Sequence, residues 1–426
     1  MKILIVSYFY PPFNTIASHR PYSWARAWAE QGHEVTVMTS QECLGRPKAL
    51  NLPPLDVEVI YQPHPNPLRR WMSSEARPAK ASADPTLKES LRARIEVYRN
   101  RTGVLTTIRL PNYTDPWILP ALRTLLRRSG GAPWDLAVTT FSPCACHVIG
   151  AALKRLGRAR VWMADFRDPF VDSPMFTGVP LLHPLERALE RHFVTRADVI
   201  TTVSGPLADA LSSRHGRPVE VIENGFDADA RDALPAARIF PDDGLLRLIY
   251  TGTLYQNIED TGPLLKALRL LKERGDRATL DRLELCFVGI APHLPEALKR
   301  EGVGQWARFD GAVSREDALR MQRDADGLLF FNCPPGIMSG KVYEYLDAEA
   351  PILVIGRLEP GSPGVLIEAC GAGLHCGDDP ERIADTLRAF AQGEIRVSRD
   401  SAAIGRFERR TLAARMLALG EQALGR

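Results

Sequence analysis

Residues 339–356 read SGKVYEYLDAEAPILVIG and hold, side by side, the two kinds of segment that alternate along the whole chain. The first part begins with Ser339, Gly340 and Lys341 and is typical of a turn that opens a helix. The second part, APILVIG (350–356), is a short apolar run typical of a buried strand. A helix that leads directly into a buried strand indicates an α/β fold with a parallel sheet.

The same alternation extends in both directions from this stretch. Strands are predicted at 246–253, 283–289, 326–332 and 350–356 in the second half, and at 2–7, 33–39, 135–140, 159–165 and 198–204 in the first half. A dip in apolar content at 229–244 indicates a linker, and 426 residues suit two domains. We therefore predict two Rossmann-like parallel-sheet domains facing across a cleft. The N-terminal domain spans 1–228 and is rejoined by a C-terminal helix (405–426) that folds back to it; the second domain spans 229–404.

Two turns of the second half have the composition of phosphate-binding turns. The first is TGT (251–253), where Gly252 lets the backbone approach a ligand closely. The second is GIMSGKVYEYL (336–346), where Lys341 adds a cation at the start of a predicted helix. Glu344 lies one turn further along, where its carboxylate is able to accept hydrogen bonds from two ribose hydroxyls. Together these residues predict a nucleotide diphosphate site at the ends of two strands.

Several segments also carry a family resemblance. They are the opening strand with YPP (10–12), the run QGHEVTVMT (31–39), DFRDPF (165–170), ENGFD (223–227) and SGKVYEYLDAEAPILVIG (339–356). On these segments the chain resembles, over nearly its full length, the GT-B glycosyltransferases, and specifically family 4 of retaining enzymes. The resemblance implies the GT-B architecture, with the acceptor on the N-terminal domain and the nucleotide sugar on the C-terminal one.

The resemblance also implies roles for single residues. Glu344 would hold the donor ribose, the turn from Ile337 to Lys341 would cradle the diphosphate, and Val313 would contact the base by its backbone. The implied donor-binding residues are Gly252, Thr253, Val313, Ile337, Met338, Ser339, Gly340, Lys341 and Glu344; the catalytic ones are Asp165, Arg167 and Asp168; Asn14 and Arg20 are on the acceptor side. Two positions depart from the family pattern: Gly336 replaces a common acid, and 254–260 (LYQNIED) lacks the usual Arg and Lys.

The implied reaction is retaining transfer of a sugar from a nucleotide diphosphate sugar to a hydroxyl acceptor, in the synthesis of cell-surface polysaccharide or glycoconjugate. The acceptor would be a saccharide, a lipid-linked compound or a small molecule. The leaving phosphate takes the acceptor's proton in such a reaction, so the protein contributes positioning and charge stabilisation. No cofactor and no metal are expected, since no D-x-D motif follows a strand. Two alternatives stay open: a nucleotide-sugar 2-epimerase, and a catalytically silent homologue that supports a partner transferase.

Positive charge is concentrated between residues 60 and 130, where thirteen Lys and Arg face five Asp and Glu, although the whole chain carries only +3. Such an excess attracts anions, and interleaved apolar residues predict that 66–128 docks on an anionic membrane leaflet. A lipid-linked saccharide would then be the favoured acceptor. No nucleic-acid-binding motif accompanies the segment. The chain has no apolar run of 18 residues and no disulfide framework spacing, so the predicted location is the cytoplasm, at the inner face of the membrane.

Overall fold

The computed structural model describes residues 1–13, 15–44, 50, 52–65, 112, 114–171, 180–255 and 258–426. Two predictions fall outside these ranges: Asn14 on the acceptor side, and the greater part of the basic segment 66–128. The chain forms two compact units. Unit 1 comprises Met1–Val203, Leu207–Ile222 and Ala413–Arg426, and unit 2 comprises Ser204–Pro206 and Glu223–Leu412. The chain thus passes from one unit to the other at Ile222 and Glu223, whereas the sequence placed the boundary at 228.

Unit 1 is built on a parallel sheet of seven strands among the described residues, in the order β3-β2-β1-β4-β5-β6-β7. The strands are β1 (Lys2–Val6), β2 (Glu34–Ser40), β3 (Glu58–Gln62), β4 (Trp134–Phe141), β5 (Ala159–Phe166), β6 (Val199–Thr202) and β7 (Glu220–Val221). The central strands are apolar along most of their length because helices cover both faces of a parallel sheet. The side chains of Ile3 to Val6 have no exposed surface.

The helices that accompany these strands are α1 (Ile16–Glu30), α2 (Ile118–Arg128), α3 (Ala145–Arg155), α4 (His183–Arg196) and α5 (Gly205–His215). Helix α1 contributes the stacked rings of Trp24 and Trp28, whose centroids lie 6.0 Å apart. Both rings are buried, and the removal of their apolar area from water stabilises the unit.

Unit 2 is built on a second parallel sheet, with six strands in the described part of the chain and the order β10-β9-β8-β11-β12-β13. The strands are β8 (Leu246–Thr253), β9 (Leu283–Ile290), β10 (Ala307–Gly311), β11 (Gly327–Phe331), β12 (Ile352–Ile355) and β13 (Gly373–Gly377). In both sheets the first strand of the unit is central and the strand order reverses beside it. The prediction of two Rossmann-like parallel-sheet domains is therefore confirmed.

The helices of unit 2 are α6 (Ala228–Asp232), α7 (Gly262–Glu273), α8 (Arg277–Leu280), α9 (Leu294–Glu301), α10 (Arg315–Asp324), α11 (Lys341–Asp347), α12 (Pro363–Ala369), α13 (Pro380–Ala391) and α14 (Ser401–Gly405). The last helix, α15 (Arg409–Leu424), begins in unit 2 and continues in unit 1 from Ala413 onward. Short 3₁₀ turns lie at Gln41–Cys43, Asp115–Trp117, Pro180–Leu182 and Gly304–Trp306.

The C-terminal part of α15 packs on the sheet of unit 1, as the sequence predicted. The indole of Trp28 donates to the Ala413 carbonyl at 2.9 Å. Gly420 lies so close to the sheet that a Cβ there would be 2.7 Å from Leu136. Among the described residues no helix is both long enough and apolar enough to cross a membrane.

The ENGFD turn (223–227) has a packing reason for its glycine. A Cβ built on Gly225 would lie 2.2 Å from the Phe407 carbonyl oxygen, which no side chain tolerates. The next residue, Phe226, donates to that Phe407 oxygen at 3.2 Å and accepts from the Arg409 amide at 3.0 Å. These two backbone bonds join the two segments that lead out of unit 2, so this motif, noted for its sequence, serves a structural purpose.

Candidate functional site

The carboxyl end of β8 and the start of α11 come together in unit 2. Gly252 has a φ of +111°, a backbone conformation that residues other than glycine rarely adopt. A Cβ on Gly289 of the neighbouring strand β9 would be 2.2 Å from the Gly252 carbonyl oxygen, so two glycines allow the strand ends to approach. The Lys341 side chain lies beside Gly252, with its Cε 3.7 Å from where a Cβ would be. The two predicted phosphate-binding turns therefore form one locus.

The Lys341 ammonium is held inside this locus rather than in solvent. Its Nζ donates to Glu259 Oε1 at 2.8 Å and contacts the Tyr250 hydroxyl. It also lies 4.1 Å from the centroid of the Tyr250 ring, which is cation–π distance. Burial lowers the pKa of Lys341, and the Glu259 carboxylate opposes that effect. The cation that the sequence assigned to phosphates thus has a carboxylate partner in this structure.

Glu344 lies on α11 one turn after Lys341 and faces α10. Its Oε1 accepts from the Arg315 guanidinium at 2.7 Å, with 17% of the Glu344 side chain exposed. Burial raises the pKa of Glu344, but Arg315 and Arg409 more than offset this, and the pKa lies below its usual range. The carboxylate is therefore ionised and held in one orientation at neutral pH. Such a group is suited to accept hydrogen bonds from vicinal hydroxyls.

A polar network fixes the end of β8 against α10 and α11. The Thr251 amide donates to the Tyr345 hydroxyl at 2.8 Å, and Gln322 Nε2 donates to Thr251 Oγ1 at 2.8 Å. All three side chains are buried. These two hydrogen bonds hold the end of β8 in place against α10 and α11.

The other predicted donor residues lie in the segments that lead into α10 and α11. Val313 precedes Ser314, whose hydroxyl accepts from the Asp317 amide at 3.0 Å and caps α10. The remaining predicted residues are all partly exposed, as a ligand-contacting loop requires: Ile337, Met338, Ser339, Gly340 and Thr253. The structure thus places the predicted donor residues around one strand end and two helix starts, and their roles stay predictions.

Unit 1 places the predicted catalytic Asp165 differently. Its carboxylate has no exposed surface and accepts from Arg20 at 2.8 Å, from Thr140 at 2.8 Å and from Thr201 at 2.9 Å. Burial raises the pKa of Asp165, but Arg20 and the two hydroxyls lower it by more than burial raises it, so the pKa lies below its usual range. Asp165 is therefore an ionised core residue. It has no surface that a ligand reaches in this conformation.

Arg20 was predicted to face the acceptor, but its side chain is only 6% exposed. Besides its two bonds to Asp165, Arg20 donates to the Ile222 carbonyl at 2.8 Å. The guanidinium thus links helix α1 to β5 and to Ile222, the residue at which the chain leaves unit 1. A pairing across 145 positions leaves no trace in local sequence, which is why DFRDPF and the first loop were interpreted separately.

Arg167 and Asp168 are the members of DFRDPF that reach the surface. Arg167 Nη2 lies 3.3 Å from Asp168 Oδ2, and 54% of the Asp168 side chain is exposed. Because the Asp168 side chain is exposed to water, this ion pair between neighbouring residues contributes little to stability. Of the three predicted catalytic residues, these two are accessible to a ligand.

Two residues at the donor locus were not predicted from the sequence. Arg315 was not singled out because it lies 29 positions before Glu344. Glu259 was noted only as an acid where the family has bases, and its pairing with Lys341 spans 82 positions. Both are charged residues close in sequence to predicted donor residues: Arg315 follows Val313 by two positions, and Glu259 follows Thr253 by six.

Comparison with known proteins agrees with this architecture. The family model for Glycosyltransferase Family 4 matches residues 80–230. No curated protein sequence matches the chain. Among solved structures, Anabaena HepE in complex with UDP is 13% identical with a TM-score of 0.59, and covers 99% of this chain and 100% of its own. The sucrose-phosphate synthase of Thermosynechococcus elongatus is 14% identical with a TM-score of 0.56, with 99% of each chain covered.

A third similar structure has a different described activity. It is a Listeria monocytogenes protein described as a UDP-N-acetylglucosamine 2-epimerase, 11% identical with a TM-score of 0.51, covering 98% of this chain and 95% of its own. At such low identities the likeness shows the fold, and the fold alone does not separate transfer from epimerisation. The chain has the GT-B fold and resembles Glycosyltransferase Family 4, whose model matches residues 80–230.

Proposed function

We propose that this protein is a retaining glycosyltransferase that moves a sugar from a nucleotide diphosphate donor to a hydroxyl acceptor. The observation that carries the proposal is the convergence of Gly252, Lys341 and Glu344 at one end of the unit 2 sheet. A backbone turn open to close approach, a cation and an oriented carboxylate are the groups that a nucleotide diphosphate requires. The likeness to HepE, which was solved with UDP, supports the same ligand class.

The donor would bind with its ribose at Glu344 and its phosphates beside Gly252 and Lys341. Arg315 holds the Glu344 carboxylate, so no reorganisation of that group is needed when the ribose arrives. The main-chain amides from Ile337 to Gly340 would donate to the diphosphate, and the backbone at Val313 would contact the base. Recognition of the base by backbone leaves the choice among uracil, guanine and thymine to loop geometry.

In the proposed reaction the bond between the sugar C1 and the phosphate oxygen breaks, and the acceptor oxygen bonds to C1 on the same face. The acceptor's proton passes to the leaving phosphate, so no protein base is required. Lys341 stabilises the charge that grows on the departing diphosphate. Arg167 and Asp168 are proposed to orient the sugar or the acceptor, whereas buried Asp165 supports the strand from which they extend. No metal or cofactor enters the proposal.

A thermal-shift panel of UDP-, GDP-, dTDP- and CMP-sugars tests the donor site. A ligand at about 100 times its Kd adds about 2.7 kcal/mol of stability, which raises the melting temperature by roughly 5–10 °C in a unit of this size. We expect one nucleotide class to stabilise the wild type and to lose this effect in Glu344→Ala. Glu316→Ala, an exposed neighbour of Arg315, is the matched control and keeps the shift. The absence of any shift in the wild type contradicts the proposal.

The alternative enzyme is a nucleotide-sugar 2-epimerase, the class named in the description of the similar Listeria structure. An epimerase converts the donor without an acceptor, whereas a transferase leaves the sugar's ring stereochemistry intact until transfer. Product analysis after incubation without acceptor separates the two. The silent homologue is the third possibility: it binds a nucleotide sugar, as the panel would show, yet neither hydrolyses nor transfers it with any cell extract.

For the acceptor we propose a lipid-linked saccharide, with residues 66–128 docking on an anionic inner leaflet in polysaccharide or glycoconjugate synthesis. The described part of this segment includes α2, where Leu119 is 53% exposed among Arg123, Arg127 and Arg128. An exposed leucine among arginines suits an anionic interface. Liposome flotation at low salt tests this: we expect anionic vesicles to carry the protein upward and neutral ones to leave it behind. Equal behaviour of both vesicle types contradicts it.

A further inference from the structure

The most heavily bonded carboxylate near the proposed donor phosphates is that of Glu259, whose side chain is 3% exposed. Its Oε1 accepts from Lys341 at 2.8 Å and lies 2.9 Å from the Tyr250 hydroxyl. Its Oε2 accepts from the Tyr255 amide at 3.0 Å. Donors from β8, from the residues that follow it and from α11 therefore fix this carboxylate in place.

The charge of the locus follows from this arrangement. Residues 254–260 (LYQNIED) contain no Lys or Arg, and the Lys341 charge is matched by Glu259. The neighbouring Asp260 is exposed, and its Oδ1 accepts from the Gly262 amide at 2.8 Å, at the start of α7. A diphosphate that approaches Gly252 therefore meets an ion pair of zero net charge instead of a lone ammonium.

Donor and product differ in charge, so an electroneutral pair affects them unequally. The diphosphate of a nucleotide sugar carries two negative charges, whereas the free nucleoside diphosphate gains a further ionisable oxygen whose pKa is about 6. At pH 8 the product therefore carries roughly one more negative charge than the donor. Each negative charge close to Glu259 is repelled by its carboxylate, and the product is repelled more.

We propose that Glu259 is a specificity-determining residue that weakens the binding of the nucleoside diphosphate product relative to the nucleotide sugar donor. The inference rests on the proposed function, and Glu259 serves in it to release product. Replacement by Gln keeps the side-chain size and removes the charge. Removal of one charge next to a bound phosphate changes affinity by on the order of tenfold, so in Glu259→Gln the product gains about tenfold more affinity than the donor does.

Titration calorimetry of UDP and UDP-glucose, and of GDP and GDP-mannose as a second pair, measures this ratio at pH 8 and low salt, where charges are least screened. We expect Glu259→Gln to raise product affinity over donor affinity. Lys341→Gln, which leaves Glu259 unpaired, is expected to shift the ratio in the opposite direction. If Glu259→Gln folds poorly, Glu259→Met, which also removes the charge, serves as the second variant with the same expected direction. Asp260→Asn, with an exposed neighbouring acid, is the control and leaves the ratio unchanged.

An unchanged ratio in Glu259→Gln overturns the inference, and so does a loss of UDP affinity as large as that in Lys341→Gln, since Glu259 would then only position Lys341. The two proposals fail separately. If Glu344→Ala abolishes binding but Glu259→Gln leaves the ratio intact, the donor site stands and only the role of Glu259 falls. If neither wild type nor Glu259→Gln binds any of these four ligands, and no dTDP-sugar shifts the melting temperature in the panel, the proposed function fails and the inference fails with it.

Discussion

Asp165→Asn is the substitution that most sharply separates a structural role from a catalytic one in unit 1. The change keeps the shape of the side chain but leaves the Arg20 guanidinium, 6% exposed, without a carboxylate. Breaking a buried ion pair by removal of one partner costs about 3–5 kcal/mol because the other charge stays buried. In a unit of this size that corresponds to a fall in melting temperature of roughly 6–20 °C.

Tryptophan fluorescence is a suitable assay for this unit. Six of the seven tryptophans precede residue 203, so the signal reports mainly on unit 1. The effect is also pH-dependent. The folded-state pKa of Asp165 is depressed, so its stabilisation is present above the unfolded pKa of about 3.9 and is lost as pH falls through the folded value. The difference between wild type and Asp165→Asn should therefore shrink in acid.

Asp168→Asn is the matched control, since its carboxylate is 54% exposed and its ion pair with Arg167 contributes little to stability. We expect it to melt within about 1 °C of the wild type. If Asp165→Asn also melts within about 1 °C of the wild type while activity is lost, the assignment of Asp165 to the core is refuted. Its catalytic prediction would then be restored.

Two further predictions concern unit 2. Arg315→Gln removes the cation that holds Glu344, so nucleotide affinity should fall about 3–10-fold by calorimetry. The loss should be greatest at low pH, because the pKa of Glu344 rises when Arg315 is removed and its carboxylate is then protonated more readily. Unchanged affinity from pH 5 to 8 would contradict this. Asp347 pairs with Arg231 at 2.5 Å, and burial raises the pKa of Asp347 to about 6. The folded protein therefore binds more protons at Asp347 than the unfolded chain does. For this reason the contribution of Asp347 to stability declines as pH rises from about 4 to 6. The unfolding free energy of Asp347→Asn minus that of the wild type should therefore rise by about 1–3 kcal/mol between pH 4 and 7 in urea titrations, and a constant difference would refute the assignment.

Much of the fold was predictable because buried parallel strands are apolar and their alternation with helices is local. Strand β8 was predicted to the residue, and β9, β11 and β12 to within two residues at either end. Strands β10 and β13 were missed. Both lie at the edges of the sheet and read ARFDG and GLHCG, so charged, polar and small residues interrupt the apolar signal.

The turn and the helix start of the candidate site could be predicted from the sequence, but the ion-pair partners of its charged residues could not. Glycine and a helix start are local features, so the sequence alone predicts that Gly252 and Lys341 belong to one site, and the structure places the two residues side by side. The partners of Glu344, Lys341 and Asp165 lie 29, 82 and 145 positions away, and only the folded sheets bring them together. An isolated carboxylate in a motif therefore indicated a ligand contact for Asp165 where the structure has an ion pair.

Release of nucleoside diphosphate from a nucleotide sugar, followed by ³¹P NMR, measures sugar transfer itself. The donor class identified by the thermal-shift panel is incubated with the protein, with and without an acceptor-containing membrane fraction. We expect nucleoside diphosphate to accumulate only when acceptor is present, and we expect Glu344→Ala to abolish the release while Glu316→Ala does not. Conversion of the donor without acceptor, or no release with any membrane fraction or soluble cell extract, would contradict the assignment as a glycosyltransferase.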